Sequence, residues 1–322
     1  MFARLFEYQS IFRIAKKHFG CKLFFRIPES CDNLFVKSRS PEERPELRMV
    51  TGGAVDLAVW EWPGQGPPLV LAHATAFHGR LWDAVVRLLP GRRALAIDAR
   101  SHGRSGRVPP PAHWQAFGAD LARVIDRFAL RDAVAVGHSM GGHALVQTAA
   151  LRPSAFATWL LIDPTIYPEE RYSEPPLDGS FTLRRKARFD SVEQMFERFR
   201  NRPPFARWCP EILHDYCQFG LLAARDGLVL ACPPAFEASI YAESTAPEAN
   251  LYPVIAGIAA PVAVMRAGME REPGALDLSA SPTAPDLASR FAHGRDILLP
   301  GRSHYIPMED PDAVAEEIRR LG

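Results

Sequence analysis

Asp132-Ala-Val-Ala-Val-Gly-His-Ser-Met-Gly-Gly142 is the stretch on which the fold turns. Its first half is a short apolar run bounded by turn residues, the pattern of a buried strand. From Gly142 to Leu151 the residues are small and apolar and read as a helix. Between the two stands Gly137-His138-Ser139-Met140-Gly141, a G-x-S-x-G at a strand-to-helix turn. A turn that tight strains the backbone of its central serine. Side chains two residues to either side would collide, so glycine fits at 137 and 141. The serine Oγ is then held out above the strand end. The N–H of Met140, at the helix start, faces any oxyanion that forms there. Ser139 is the candidate nucleophile.

Outward from this turn, strand-like and helix-like segments alternate. Asp56–Trp62, Pro68–His73, Ala94–Asp98 and Trp159–Asp163 read as strands. Leu81, Trp82, Val85, Leu88 and Leu89 have helical spacing, as do Phe117, Leu121, Val124, Ile125 and Phe128. Fully apolar strands alternating with helices predict an α/β domain whose parallel sheet is covered on both faces. The alternation stops after Asp163. Residues 164–250 are rich in Pro, Arg and aromatics, with one readable helix at Val192, Met195, Phe196 and Phe199, and are expected to form an inserted cap or lid. The sheet resumes at Pro261–Met265 and Asp296–Leu299, and Val314, Ile318 and Leu321 mark a last helix. The expected core is therefore 46–163 with 251–322. Residues 1–45 differ from the rest. They hold four of the five Lys and seven of the 19 Phe. Leu5, Tyr8, Phe12, Ala15 and Phe19 share one helical face, so the segment reads as a basic, Phe-rich extension outside the fold, with a leader or a membrane-surface helix as alternatives.

Composition narrows the function classes. The 322 residues are 47% hydrophobic and 23% charged, which excludes wholesale disorder, a collagenous chain and a coiled coil. The net charge is +1, without the basic excess of a protein that grips phosphates, so no nucleic-acid partner is expected. No apolar run reaches about 18 residues, so no integral membrane span is expected. The five Cys are odd in number and include no C-x-x-C, which predicts reduced, partly buried thiols. No Cys/His spacing suits zinc, so no metal is expected. The expected location is cytoplasmic.

A serine needs a base. His304, in Leu299-Pro-Gly-Arg-Ser-His304, follows the last strand and precedes the last helix, where a loop returns to the sheet's C-terminal edge. The acid has two main candidates. Asp163 ends the strand after the Ser139 helix, and Glu270 follows the next strand. Asp163 is favoured, because a carboxylate at an apolar strand end needs a partner. Arg266 and Arg271 give Glu270 a ready surface ion pair, and Asp277 is a third choice. The second oxyanion donor should come from the loop His73–Gly79, and Thr75 N–H is expected to supply it beside that of Met140. His138 should point away from the base side and support the elbow, His143 should pack in its helix, and His102 should order a loop.

On these residues the chain resembles the serine α/β-hydrolases of the large cap-bearing superfamily. Gly137–Gly142 matches the elbow that carries their nucleophile, and Gly301–Pro311 resembles their catalytic-His segment. Asp98–Gly106 resembles the family's D-x-R-G-H-G-x-S loop, with Ser101 where Gly is usual. Trp82 resembles the tryptophan that opens the first helix, and His73-Ala74 stands where His-Gly is usual. Gly268 lacks the usual Asp three residues on, and the family tolerates an acid after either strand. The resemblance implies a mostly parallel central sheet with helices on both faces, a helical cap after the sixth strand, and no cofactor. It also implies a hydrolase, expected to be a carboxylic ester hydrolase. Such an enzyme would cleave a small apolar ester, thioester or lactone through an acyl-enzyme on Ser139, His304 and Asp163. Aromatics such as Phe181, Phe199, Phe205, Tyr216 and Tyr241 either face that substrate or form the cap's own core. The alternatives are a carbon–carbon bond hydrolase or cofactor-free haloperoxidase on the same residues, and a non-catalytic ligand-binding protein on this scaffold.

Overall fold

The computed structural model describes residues 44–270 and 278–322. The expectations for residues 1–43 and for Asp277 lie outside the described residues. In chain order the first elements are β1 (Glu46–Val50), β2 (Leu57–Trp62), β3 (Gln65–Ala72), α1 (Asp83–Arg87), β4 (Arg92–Ile97), α2 (Trp114–Arg127), β5 (Ala133–His138), α3 (Met140–Leu151) and β6 (Phe156–Ile162). Next come β7 (Arg188–Phe189), α4 (Val192–Phe199), α5 (Pro210–Phe219), β8 (Leu221–Ala224), β9 (Gly227–Leu230), α6 (Pro234–Glu243) and α7 (Tyr252–Ile255). The last are β10 (Val262–Ala267), β11 (Gly294–Leu299), α8 (Ile306–Glu309) and α9 (Pro311–Leu321). Eight strands form one sheet in the order β1-β2-β4-β3-β5-β6-β10-β11. β1 and β2 are antiparallel to their neighbours, and the strands from β4 through β11 run parallel.

The period-two geometry of a strand explains why the central strands are apolar throughout. Val70, Ala135, Leu161 and Val264 face one layer, which holds Phe117, Leu121 and Val124 of α2 and Leu145 of α3. Their sequence neighbours Leu71, Val136, Leu160 and Met265 face the other layer, with Val85 of α1 and Val314 and Ile318 of α9. Both faces are covered, so no position in these strands suits a polar side chain. The α/β fold expected from the alternation is the fold observed.

The sheet also sets the level of its own C-terminal edge. Beyond β5, Ser139 N–H donates to Ile162 O at 3.0 Å, and beyond β6, Asp163 N–H donates to Met265 O at 2.7 Å. The strand-to-strand ladder thus continues into the turns that carry Ser139 and Asp163. Ligands of open parallel sheets gather at this edge.

Between β6 and β10 the chain is richer than the single helix readable in the sequence. It holds α4, α5 and α6, and a three-stranded antiparallel sheet in the order β7-β9-β8. It is therefore not purely helical. α5 and α6 both open on proline at a first-turn position, where the missing N–H costs nothing. In the sequence those prolines look like loop. A third apolar cluster joins this segment to the core, with Phe189, Met195, Trp208, Ile212 and Tyr216 packed against Phe77, Leu81 and Tyr305.

Cys217 and Cys232 are free and buried. Cys209 is disulfide-bonded, which corrects the expectation that every cysteine is reduced. Bridging depends on which Cβ atoms the fold brings close, and spacing along the chain does not report that. Among the described residues no helix is long and apolar enough to cross a membrane.

Candidate active site

Ser139 sits at φ 55°, ψ −121°, between β5 and α3. A non-glycine residue with positive φ is uncommon and costs energy that the surroundings must supply. The two flanking glycines show how tight the turn is. A Cβ on Gly137 would lie 2.6 Å from Gly142 Cα, and one on Gly141 would lie 2.3 Å from the Ala72 carbonyl oxygen. Both contacts are with backbone, so neither can be relieved by moving a side chain.

The geometry brings Ser139, His304 and Asp163 into one chain of hydrogen bonds. Ser139 Oγ is 3.0 Å from His304 Nε2. His304 Nδ1–H donates to Asp163 Oδ2 at 2.6 Å. Asp163 is fully buried and has φ 44°. Its other oxygen accepts from Ser281 Oγ at 2.5 Å and from Ala267 N–H at 3.1 Å. Burial alone would raise the Asp163 pKa. The hydrogen bond and charge of His304, with Ser281 and Ala267, outweigh burial and hold it below the usual carboxylate value. Glu270 is exposed, and the Nδ1 proton of His304 goes to Asp163.

The His304 loop is tied down on several sides. His304 N–H donates to Ser279 O at 2.6 Å, Ser303 Oγ donates to Glu309 Oε1 at 2.6 Å, and Arg302 pairs with Asp310 at 2.7 Å. His138 Nε2–H donates to the His304 carbonyl at 2.7 Å, and the two rings lie 5.0 Å apart. His138 was expected to point away from the base. It instead reaches across the turn to hold the backbone of the base. Burial lowers its pKa to about 3, so it does this as the neutral ring.

The loop before α1 is set by two more neutral histidines. His73 Nδ1–H donates to Ala74 O at 2.7 Å while its Nε2 accepts from Ala99 N–H at 3.0 Å. His102 Nδ1–H donates to Arg100 O at 2.8 Å while its Nε2 accepts from Ala76 N–H at 3.0 Å. His102 thus orders the loop on which Thr75 stands. Thr75 and Ser139 line one cavity. Met140 opens α3, so its N–H is among those that a helix leaves without an intrahelical partner. His143 Nε2–H donates to Ala249 O at 2.8 Å from within α3, with its ring against Trp114.

A further residue meets Ser139. Thr165 Oγ1 is 3.0 Å from Ser139 Oγ, and Thr165 N–H donates to Ser139 O at 3.1 Å. Its only sequence signal is its place two residues after Asp163, in Asp-Pro-Thr. The cavity above these groups is about 690 Å³. His304, Thr165 and Thr75 line it with Phe77, Phe199 and Phe205. Mostly apolar walls with a few convergent polar groups are the usual make-up of a small-molecule site.

Comparison with known proteins agrees with this architecture. The chain is 36% identical over 115 residues to lipase LipV of Mycobacterium tuberculosis, which is 35% of this chain and 43% of LipV. It is 32% identical over 102 residues to a putative non-heme haloperoxidase of Mycobacterium phage D29, 37% of that protein. Both are thus matched over less than half their length. A 2-(acetamidomethylene)succinate hydrolase of Mesorhizobium japonicum is 26% identical over 278 residues, covering 84% of this chain and 93% of that one. A solved structure of E-2-(acetamidomethylene)succinate hydrolase superposes with a TM-score of 0.70 at 22% identity, over 86% of this chain and 98% of that one, which speaks to the fold. The relatives are lipases, esterases, other hydrolases and haloperoxidases. The model of the alpha/beta hydrolase family matches residues 69–317, most of the chain, and the protein belongs to that family.

Proposed function

We propose that the protein is a serine hydrolase that cleaves a carboxylic ester of a small, largely apolar substrate through an acyl-enzyme. One observation carries this: Ser139, His304 and Asp163 are joined by hydrogen bonds of 3.0 and 2.6 Å, with Ser139 and His304 on the wall of a cavity of about 690 Å³ and Asp163 buried behind them. Ser139 Oγ attacks the ester carbonyl while His304 Nε2 takes its proton. Asp163 holds the ring and stabilises the imidazolium. The N–H groups of Thr75 and Met140 receive the oxyanion. His304 then protonates the leaving alcohol, and a water activated by the same nitrogen releases the acid. Residues 46–163 and 251–322 act as the catalytic core, and 164–250 act as a cap over it. The aromatic cavity wall supports an apolar acyl or alcohol group. Turnover of 4-nitrophenyl butyrate tests the mechanism. Ser139→Ala should lower kcat by about 10³-fold or more, and full activity in that variant would contradict it.

A further inference from the structure

The cavity wall is not apolar throughout. Arg185, Tyr216, Glu237 and Tyr241 line it together, in the same cavity as Ser139 and His304. Glu237 and Tyr241 are one turn apart on α6 and so share a side of that helix. Arg185 pairs with Glu237, whose side chain is 5% exposed against 23% for Arg185. The second end of the guanidinium donates to the Tyr216 hydroxyl at 2.9 Å. The pair is neutral as a unit, so it does not itself need a counterion.

The donors and acceptors do not balance. A guanidinium carries five N–H donors, and Glu237 and Tyr216 engage one each. Tyr216 spends its oxygen accepting from Arg185, which leaves its own hydroxyl proton to donate. Tyr241 packs its ring on Phe181, and its hydroxyl has no hydrogen-bond partner among the described residues. The unengaged Nε of Arg185 and the Tyr241 hydroxyl are not among the buried atoms without a partner, so both are open to the cavity that they line. A substrate that filled the cavity without offering them an acceptor would strip them of water at a cost. What the cluster lacks is an acceptor.

We propose that Arg185, Tyr216 and Tyr241 form a subsite for an acceptor oxygen, carbonyl or carboxylate, carried on the substrate away from the scissile ester. The substrate is then apolar along its middle and oxygen-bearing at one end. This inference rests on ester hydrolysis at Ser139.

The test compares kcat/KM across two ester series. The acyl series is 4-nitrophenyl pentanoate, 4-oxopentanoate and hemiglutarate. The alcohol series is the acetates of pentanol, 5-hydroxypentan-2-one and 5-hydroxypentanoate, followed by pH-stat. In one series the oxygen-bearing ester should exceed its plain counterpart about ten-fold, the size of a hydrogen bond to a charged group. The keto and carboxylate members separate the two acceptor types. Tyr241→Phe, which breaks no hydrogen bond within the described structure, should lower that ratio at least about five-fold. Arg185→Met combined with Glu237→Met, which leaves no charge buried alone, should abolish it. Equal or better turnover of the plain esters in both series overturns the subsite, as does a ratio unmoved by Tyr241→Phe. Binding of the same esters to Ser139→Ala, by calorimetry, reads the subsite without turnover. If no ester is hydrolysed by the unmodified protein, the hydrolase reading fails. A binding preference for the oxygen-bearing esters would still support the subsite, and its absence would overturn that too.

Discussion

Asp163 is a carboxylate pulled in two directions. Full burial favours the protonated form, while His304, Ser281 and Ala267 favour the ionised one, and the second set wins. An amide in its place keeps the shape and loses the charge, and its NH₂ can hold the imidazole in the wrong tautomer. Asp163→Asn should therefore lower kcat by about 10⁴-fold, whereas Glu270→Gln, on the exposed surface, should stay within about two-fold. Ester kinetics on both variants check this, and the reverse order would move the acid to Glu270. The three residues joined at the site were legible for separate reasons. Ser139 shows in its glycines, His304 in its place between the last strand and helix, and Asp163 in being a carboxylate at an apolar strand end. Thr165 was not, because its significance lies in what its hydroxyl meets across the fold, and residue type says nothing of that.

Asp98 shows how an element is anchored by one side chain. It is buried at the end of β4 and accepts from Gly79 N–H at 2.6 Å, Arg104 N–H at 2.8 Å and Trp60 Nε1–H at 3.1 Å. It thereby joins three segments that flank the Thr75 loop. Asp98→Ala would leave two backbone N–H groups and an indole N–H without partners. The expected loss is about 3 kcal/mol, or roughly 4–5 °C in Tm for a protein of this size. Calorimetry checks it, and a shift under 2 °C would contradict it. The elements of the main sheet were legible because each central strand is apolar on both faces. The segment between β6 and β10 was less so. Its strands are four residues or fewer, two of its helices, α5 and α6, open on proline, and its order depends on packing against Phe77 and Tyr305, far away in sequence.

For the molecule as a whole, the buried histidines set the response to acid. Burial lowers the pKa of His78 and His138 to about 3 and of His102 and His143 to about 4, and lowers that of His73 as well. In the unfolded chain these rings titrate near 6.5. Between about pH 6.5 and 4 the unfolded chain binds protons that the fold refuses, so stability is present in full above pH 6.5 and falls as pH drops. Each ring contributes about 1.4 kcal/mol per pH unit in that window. Tm should be flat from pH 7 to 9 and fall steeply below pH 6; a Tm unchanged down to pH 4.5 would contradict this.

The claim that Ser139 is an activated nucleophile in an accessible cavity can be tested without knowing the substrate. The protein would be incubated with a fluorophosphonate, its intact mass taken and the adduct mapped. One adduct per chain, on Ser139 and absent from Ser139→Ala, is the predicted result. No adduct on the folded protein, or an adduct on another residue that Ser139→Ala retains, would contradict it.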